Sequence, residues 1–186
     1  MRLSPRWQAG SALTLLALLG YALPDPVAVL QWEHGAIVDG QWGRLLTAHF
    51  AHLDMHHLLF NLLGLALIVE LLMEDWTWQA IATLALCGAL GTSVLLWFCA
   101  PGVQWYAGLS GLLHGLWAGA AMHVCLHRRS ALHAAALLAL AAKLAWMNHG
   151  TGSMPVLPIA HVYGAVSGIA WALMRRMLIA APIRLE

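Results

Sequence analysis

The chain carries no aspartate, glutamate, lysine or arginine between Trp76 and His127, so this whole stretch must occupy an apolar environment. One helical crossing of a bilayer takes about 20 apolar residues, and the stretch is long enough for two. Only 9% of the 186 residues are charged and 61% are hydrophobic, whereas soluble domains carry about 25% charged residues. The sequence therefore predicts an integral membrane protein.

Apolar segments of similar length occupy most of the remaining chain. The first follows two arginines, as in a signal peptide, but the sequence Leu23-Pro-Asp-Pro after it lacks a small-residue cleavage site. We therefore expect a retained first helix and an all-α polytopic fold in one domain, residues 1–186. Six spans are predicted, near residues 10–30, 56–74, 78–99, 109–126, 131–147 and 159–180.

Basic residues predict the orientation of these helices. With a cytoplasmic N-terminus, Arg44 falls outside and Lys143 lies near the outer end of the fifth helix. The positive-inside rule then accounts for the others, which are Arg2, Arg6, Arg128, Arg129, Arg175, Arg176 and Arg184. Both termini are expected to be cytoplasmic. The formal net charge of +1 provides no basic surface for nucleic acid.

Four polar residues fall at one depth, in the outer third of the bilayer, in this orientation. His57 and Asn61 lie one turn apart near the outer end of the second helix, Ser110 begins the fourth helix, and His161 begins the sixth. Polar groups inside hydrocarbon are costly and usually functional. The shared depth therefore marks a candidate site.

Small residues recur every four positions on the helices that carry Ser110 and His161. Such stripes let membrane helices approach backbone to backbone, which would bring the serine and histidine within about 3 Å. A neutral imidazole there takes the serine proton, so the pattern predicts a Ser–His dyad. The stripes are Gly111, Gly115 and Gly119 on the fourth helix, and Ala160, Gly164, Gly168 and Ala172 on the sixth.

A serine nucleophile also needs donors for the oxyanion that forms on the attacked carbonyl. Backbone N–H groups at the start of the fourth helix, around Ser110 and Gly111, point outward and lie at the positive end of the helix dipole. The Asn61 amide and a ring N–H of His57 are the candidate side-chain donors. Gly108 would let the backbone approach the substrate closely.

Each of these features has a simpler explanation when taken alone. Gly-x-Ser-Gly is often a packing motif, and a histidine and asparagine on one helix face often hydrogen-bond between helices. The cluster His49, His52, His56 and His57 suggests a metal site or a transporter, but no His-Glu-x-x-His motif is present. The coincidence of all the polar groups at one depth favours catalysis without a metal.

These motifs together resemble the rhomboid intramembrane serine proteases and, within that superfamily, the rhombosortases. The resemblance covers essentially the whole six-helix core and implies a rhomboid-like bundle without metal or cofactor. The matching motifs are Trp42-Gly-Arg44, His52-x4-His57-x3-Asn61, Gly108-Leu-Ser110-Gly111 and Ala160-His161-x-x-Gly164.

Carried over to this sequence, the resemblance makes Ser110 the nucleophile and His161 the general base. His57 and Asn61 would assist the oxyanion, and His52 would be a structural residue of the first loop. Rhomboids commonly have tyrosine four positions after the serine, stacked on the catalytic histidine, where this chain has His114.

Two departures from the family pattern leave alternatives open. His114 would position His161, hydrogen-bond the serine, or replace His161 as the base, and the intact helix-six motif favours His161. Gly43 separates Trp42 from Arg44, which allows a first loop of different construction.

The resemblance to rhombosortases implies a multi-pass protein of the bacterial inner membrane whose active site faces the periplasm. Its substrates would be exported proteins with a C-terminal tail consisting of a Gly-Gly motif, a transmembrane helix and a basic end. Cleavage would release the protein or transfer it to another acceptor. The alternatives are a general rhomboid protease with other transmembrane substrates, and an inactive rhomboid-like protein that binds transmembrane helices.

A substrate helix is expected to enter from the lipid and to unwind near its outer end, because the carbonyls of an intact helix are occupied and shielded. The segment His149-Gly-Thr-Gly-Ser153 is predicted to form a mobile gate above the site.

Overall fold

The computed structural model describes residues 3–149 and 157–180, and helices dominate both ranges. In chain order the elements are α1 (Pro5–Tyr21), α2 (Pro26–Leu30), β1 (Trp32–Glu33), α3 (His34–Val38), α4 (Arg44–Thr47), a 3-10 turn (Ala48–Phe50), α5 (Met55–Leu72), α6 (Trp78–Cys99), β2 (Trp105–Tyr106), α7 (Ser110–His127), α8 (Ala131–His149) and α9 (Pro158–Ala180). The predicted gate at 149–153 lies almost wholly outside the described residues.

The outer surface of the helical bundle is apolar. Helices α5 and α6 are each long and apolar enough to cross a membrane, and Ala131–Met147 is a shorter apolar stretch. Large hydrophobic side chains project outward, with Phe60 73%, Phe98 74% and Trp146 80% exposed. Apolar surface of this extent needs lipid around it, which agrees with the predicted membrane location.

Helix α7 lies at the centre of the bundle and packs against α5, α6, α8 and α9. Its closest neighbour is α9, because the two stripes of small residues face each other. A β-carbon added to Gly164 would overlap the Gly111 carbonyl oxygen, and one added to Gly168 would overlap that of Gly115. The predicted backbone-to-backbone approach is therefore confirmed.

The first predicted helix, residues 10–30, is wrong at both ends. Helix α1 begins at Pro5 and ends at Tyr21, and α2 is separate from it. Pro24 and Pro26 each lack a backbone N–H and disfavour helix in the preceding residue. Asp25 has a φ of 48° and accepts a hydrogen bond from the Ala28 N–H, so it begins α2. The other five predicted helices match the structure to within two residues.

The connection between α1 and α5 is folded and is anchored to the bundle at several points. Strand β1 pairs antiparallel with β2, just before α7. The Arg44 guanidinium donates to the carbonyl oxygens of Gln31 and Ala28 at 2.8 and 3.0 Å. Buried His49 donates from Nε2 to the Ala89 carbonyl of α6 at 2.9 Å. These bonds fix the loop beside the beginnings of α5 and α7.

Helices α5, α7 and α9 all begin at one end of the bundle, here called the Ser110 end. The opposite end carries the two ion pairs found in the described residues. These are Arg6 with Glu70 at 3.1 Å, and Arg128 with Asp75 at 3.8 Å.

Candidate active site

Ser110 and His161 meet where α7 and α9 begin. The His161 Nε2 lies 2.8 Å from the Ser110 Oγ, although the residues are 51 positions apart in sequence. His161 is only 3% exposed. The contact follows from the close approach of the two helices, since Ser110 and His161 each adjoin the first residue of a small-residue stripe. The predicted juxtaposition of the serine and histidine is therefore present.

The loop before Ser110 depends on glycine at position 108. Gly108 has a φ of 122°, a conformation that disfavours every residue with a β-carbon. A β-carbon there would also lie 2.6 Å from Cε1 and 2.7 Å from Nε2 of the His57 ring. The absent side chain thus allows the His57 ring to cover the backbone that leads to Ser110.

Tyr106, which no sequence motif predicted as a site residue, ties this loop together. Its hydroxyl donates to the Gly108 carbonyl oxygen at 2.5 Å and accepts from the Gly111 N–H at 3.0 Å. Burial raises the pKa of Tyr106 to about 12, so the hydroxyl is neutral and can fill both roles. An aromatic residue four positions before the candidate serine was the only sequence signal for it.

The Tyr106 hydroxyl also corrects one part of the predicted oxyanion site. The Gly111 N–H was expected to face the oxyanion, but it is occupied by the tyrosine oxygen. The Ser110 N–H has no acceptor among the residues that the structure describes. The Ser110 N–H is therefore a backbone donor that remains available at this helix start.

His57 and Asn61 lie on the first two turns of α5 and face the same site. The side chain of Asp54 accepts from the His57 N–H at 2.8 Å and so caps the helix. The Asn61 Nδ2 and the His57 Nδ1 are buried and have no hydrogen-bond partner within the described ranges. Buried polar atoms without partners are costly, so these two atoms are candidates for contact with a bound group.

His52 lies behind His57 in the folded first loop. It is fully buried, its Nδ1 donates to the Phe50 carbonyl at 3.2 Å, and its ring centroid lies 5.2 Å from that of His57. Burial, with the neighbouring His57 ring second, lowers the pKa of His52 to about 4. This neutral ring packs edge to face against His57, as a structural residue would.

His114 stacks on His161, with ring centroids 4.1 Å apart and an angle of 9° between the planes. Its Nδ1 lies 2.6 Å from the Ser110 carbonyl oxygen, and its Nε2 lies 2.9 Å from the Lys143 ammonium. Both ring nitrogens thus contact groups other than the serine hydroxyl. Of the predicted roles for His114, the geometry matches the positioning of His161.

Two cavities meet at Ser110 and His57. One, of about 390 Å³, lies between the Gly102–Ala107 segment and Leu157. The other, of about 500 Å³, lies between α5 and α8 and includes Asn61, His114, Lys143 and His161. The second cavity is mostly apolar and continues into a groove of about 380 Å³ farther along the same two helices. Ser110 is therefore reached both from the loop side and from the lipid-facing side.

The histidines of the first loop are not arranged around a common centre. Within residues 3–149 and 157–180, no three histidine, cysteine, aspartate or glutamate side chains are grouped to hold a metal ion.

The fold and the apolar helices define a multi-pass helical membrane protein. A family model described as "Rhomboid domain" matches residues 39–177, which is more than two thirds of the chain. The chain therefore belongs to the rhomboid family, whose members are generally intramembrane serine proteases, although some are inactive. A search of curated protein sequences finds no significant match.

Proposed function

We propose that this protein is an intramembrane serine endopeptidase, with Ser110 as the nucleophile and His161 as the general base. The observation that carries the proposal is the 2.8 Å contact between the serine oxygen and the histidine Nε2 across two helices. A serine hydroxyl is a weak nucleophile until an adjacent base removes its proton. A buried neutral imidazole at hydrogen-bond distance is suited to that task.

The reaction follows the usual course of acyl transfer. His161 Nε2 takes the Ser110 proton as Oγ attacks the peptide carbonyl carbon, and the carbonyl oxygen becomes an oxyanion. His161 then returns the proton to the leaving amine as the carbon–nitrogen bond breaks, which leaves an ester on Ser110. Water, deprotonated by His161, hydrolyses this ester and restores the serine. If another nucleophile attacked the ester in place of water, the same step would transfer the cleaved protein to that acceptor.

The oxyanion would be bound by the Ser110 N–H, the Asn61 amide and a ring N–H of His57. The buried Asn61 Nδ2 without a partner supports this assignment, because such a donor gains most when charge develops next to it. Loss of one oxyanion donor typically lowers the rate by about 10²–10³-fold. Asn61→Ala is expected to fall in that range.

No carboxylate is assigned to His161. Its Nδ1 is buried and has no hydrogen-bond partner in the described part of the chain. One face of its ring is covered by the stacked ring of His114. In this proposal stacking holds the imidazole where a serine protease triad would use an aspartate.

The substrate would be a transmembrane helix that enters between α5 and α8. The apolar groove along these helices leads to the cavity that contains Ser110. The helix must unwind before Ser110 reaches a carbonyl, and glycine lowers that cost by about 1 kcal/mol per residue relative to alanine. A Gly-Gly segment followed by a helix and a basic end, the rhombosortase type of tail, is therefore the substrate that we assign.

The membrane topology in this proposal has six spans, both termini in the cytoplasm and the Ser110 end facing the periplasm of the bacterial inner membrane. The positive-inside distribution supports it, since Arg128 and Arg129 lie at the opposite end from Ser110. In a protein whose native cysteines Cys87, Cys99 and Cys125 are replaced by alanine, a cysteine at exposed Trp105 should react with a membrane-impermeant maleimide in intact cells. A cysteine at exposed Arg129 should react only after lysis, and the reverse pattern would invert the proposed topology.

The deciding experiment compares wild type with Ser110→Ala and His161→Ala on a reporter that carries a Gly-Gly, helix and basic-end tail. Ser167→Ala is the matched control, because its hydroxyl donates to the Tyr163 carbonyl away from the site. We expect cleavage by wild type and the control, and none by the two site variants. Cleavage that survives loss of Ser110 would refute the serine mechanism.

The substrate assignment is tested by a second reporter with an ordinary rhomboid transmembrane segment. If wild type cuts only this second reporter, the protein is a general rhomboid protease. If wild type cuts neither reporter and Ser110 does not react with a fluorophosphonate, the protein belongs with the inactive members of the family.

A further inference from the structure

Lys143 is an ionisable residue on the mostly apolar helix α8, and its side chain is directed into the bundle. The Nζ lies 2.9 Å from the His114 Nε2 and 3.1 Å from the Met147 Sδ. Neither described salt bridge includes it. A lysine within a membrane helix is costly and usually serves a function.

We infer that Lys143 is a positioning residue that fixes the tautomer and orientation of His114, and through that ring holds His161 against Ser110. This inference rests on the proposed Ser110–His161 chemistry for its effect on rate. Its structural part, the state of the His114 ring, is independent of whether the protein cleaves a substrate.

The contacts of His114 determine which nitrogen carries its proton. A backbone carbonyl only accepts hydrogen bonds, so the Nδ1 that lies 2.6 Å from the Ser110 oxygen must carry a hydrogen. The Nε2 of the neutral ring is then an acceptor. A lysine ammonium only donates, and Lys143 supplies the matching donor at 2.9 Å. Both nitrogens are therefore satisfied in one tautomer.

This tautomer prevents His114 from competing for the serine proton. Its Nε2 lone pair is occupied by Lys143, and its Nδ1 already carries a hydrogen. A second proton on the ring would place two cations about one hydrogen-bond length apart, which an apolar site strongly disfavours. His114 is thus held as a neutral aromatic surface beside His161.

The orientation of His114 matters because its flat face supports His161. The rings lie 4.1 Å apart and 9° from parallel, and the Nδ1 of His161 has no other described partner that would fix it. Without the Lys143 donor, the His114 ring is held at one nitrogen only. Misplacement of a catalytic group by about 1 Å can lower the rate by about 10²-fold.

The structural part is tested by ¹⁵N NMR of labelled histidine in the inactive Ser110→Ala protein, with the His114 signals assigned by their loss in His114→Phe. We expect the His114 Nε2 resonance to shift in Lys143→Met, which removes the donor, and to stay close to its original position in Lys143→Arg. An unchanged resonance in Lys143→Met would overturn the assigned contact.

The functional part is tested by the rate at which a fluorophosphonate labels Ser110, which needs no knowledge of the natural substrate. We expect Lys143→Met to slow labelling about tenfold and Lys143→Arg to restore most of the rate. In a His114→Phe background, where no ring nitrogen needs a donor, Lys143→Met should change the rate less than twofold.

Leu138→Met, at a lipid-facing position of α8 that is 72% exposed, is the control and should leave labelling unchanged. An equal loss from Lys143→Met in both backgrounds, or no loss in either, would overturn the positioning role. If the fluorophosphonate fails to label Ser110 in the wild-type protein, the proposed function is refuted instead. The NMR measurement would still test the contact between Lys143 and His114.

Discussion

At the scale of single residues, the site depends on side chains that are absent as much as on those present. Gly108 has a φ of 122°, and the His57 ring occupies the space that a side chain at this position would need. We expect Gly108→Ala to cost roughly 1–3 kcal/mol of stability from backbone strain alone. The added methyl also displaces His57, so fluorophosphonate labelling of Ser110 should fall by more than 10-fold.

Gly102 is the matched control for this substitution. It lies in the same segment, has no positive φ, and a β-carbon there would meet nothing within 4 Å. Gly102→Ala should therefore change neither the thermal midpoint in detergent nor the labelling rate. Equal behaviour of the two alanine variants would show that the conformation at Gly108 is not needed.

At the scale of helices, the Ser110–His161 contact depends on how closely α7 and α9 approach. Gly168 lies about two turns from His161, and a β-carbon on it would overlap the Gly115 carbonyl oxygen. We expect Gly168→Ala to push the helices apart and to slow Ser110 labelling at least tenfold, because the loss of alignment extends to the Ser110–His161 contact. The measurement is the labelling rate of the folded protein, compared with Gly43→Ala, where a β-carbon has open space.

A result in which Gly168→Ala lowers the thermal midpoint but leaves labelling unchanged would contradict this view. It would mean that the beginnings of α7 and α9 are held together locally and do not depend on the stripe.

The anchored first loop predicts a pH dependence of stability. Burial lowers the pKa of His49 from 6.5 to about 4, so between these values the unfolded chain binds a proton that the folded chain does not. Stability is therefore full above about pH 6.5 and falls as the pH drops toward 4, by roughly 3 kcal/mol for this group. The thermal midpoint in detergent, measured from pH 7.5 to 4.5, should follow this trend.

His49→Gln keeps a donor for the Ala89 carbonyl but does not titrate, so its stability should change less steeply with pH. Some slope will remain, because burial also lowers the pKa of His52 to about 4. Exposed His56→Gln is the control and should follow wild type. Identical slopes for all three proteins would exclude His49 as a source of the effect.

At the scale of the whole molecule, the sequence was sufficient for features that follow from composition and from helical periodicity. Charge scarcity predicted the membrane helices, and the four-residue stripes predicted that Ser110 and His161 would meet. The contacts of Tyr106 and Lys143 were not predicted. The Tyr106 hydroxyl reaches the Gly111 N–H because Gly108 turns the chain with a positive φ. Lys143 reaches His114 because of the way α8 is oriented about its own axis in the bundle, which the sequence does not specify.

The end of helix α1 was predicted wrongly because hydrophobicity alone does not reveal where a helix is interrupted. The Pro-Asp-Pro sequence stops the helix by local backbone geometry, even though apolar residues continue to Leu30. The contact between His49 and the Ala89 carbonyl holds the first loop against α6. This contact likewise depends on tertiary packing, which no local sequence pattern encodes.

In the proposed function, a transmembrane substrate would reach Ser110 through the apolar groove, and a small soluble reagent would reach it through the cavity on the loop side. Ala139 lines the apolar groove between α5 and α8, away from the cavity that the Gly102–Ala107 segment forms over Ser110. We expect Ala139→Trp to fill the groove and to reduce cleavage of a transmembrane reporter at least tenfold, since the helix can no longer align with Ser110. Fluorophosphonate labelling should stay within twofold of wild type.

The matched control is Ala141→Trp, at an exposed position of the same helix that lines none of the described cavities. It adds the same side chain to the lipid-facing surface and should alter neither measurement. Equal loss of cleavage in both variants would point to a general disturbance of α8. Full cleavage by Ala139→Trp would mean that the substrate helix reaches Ser110 by another route, because a groove filled by an indole has no room for a helix.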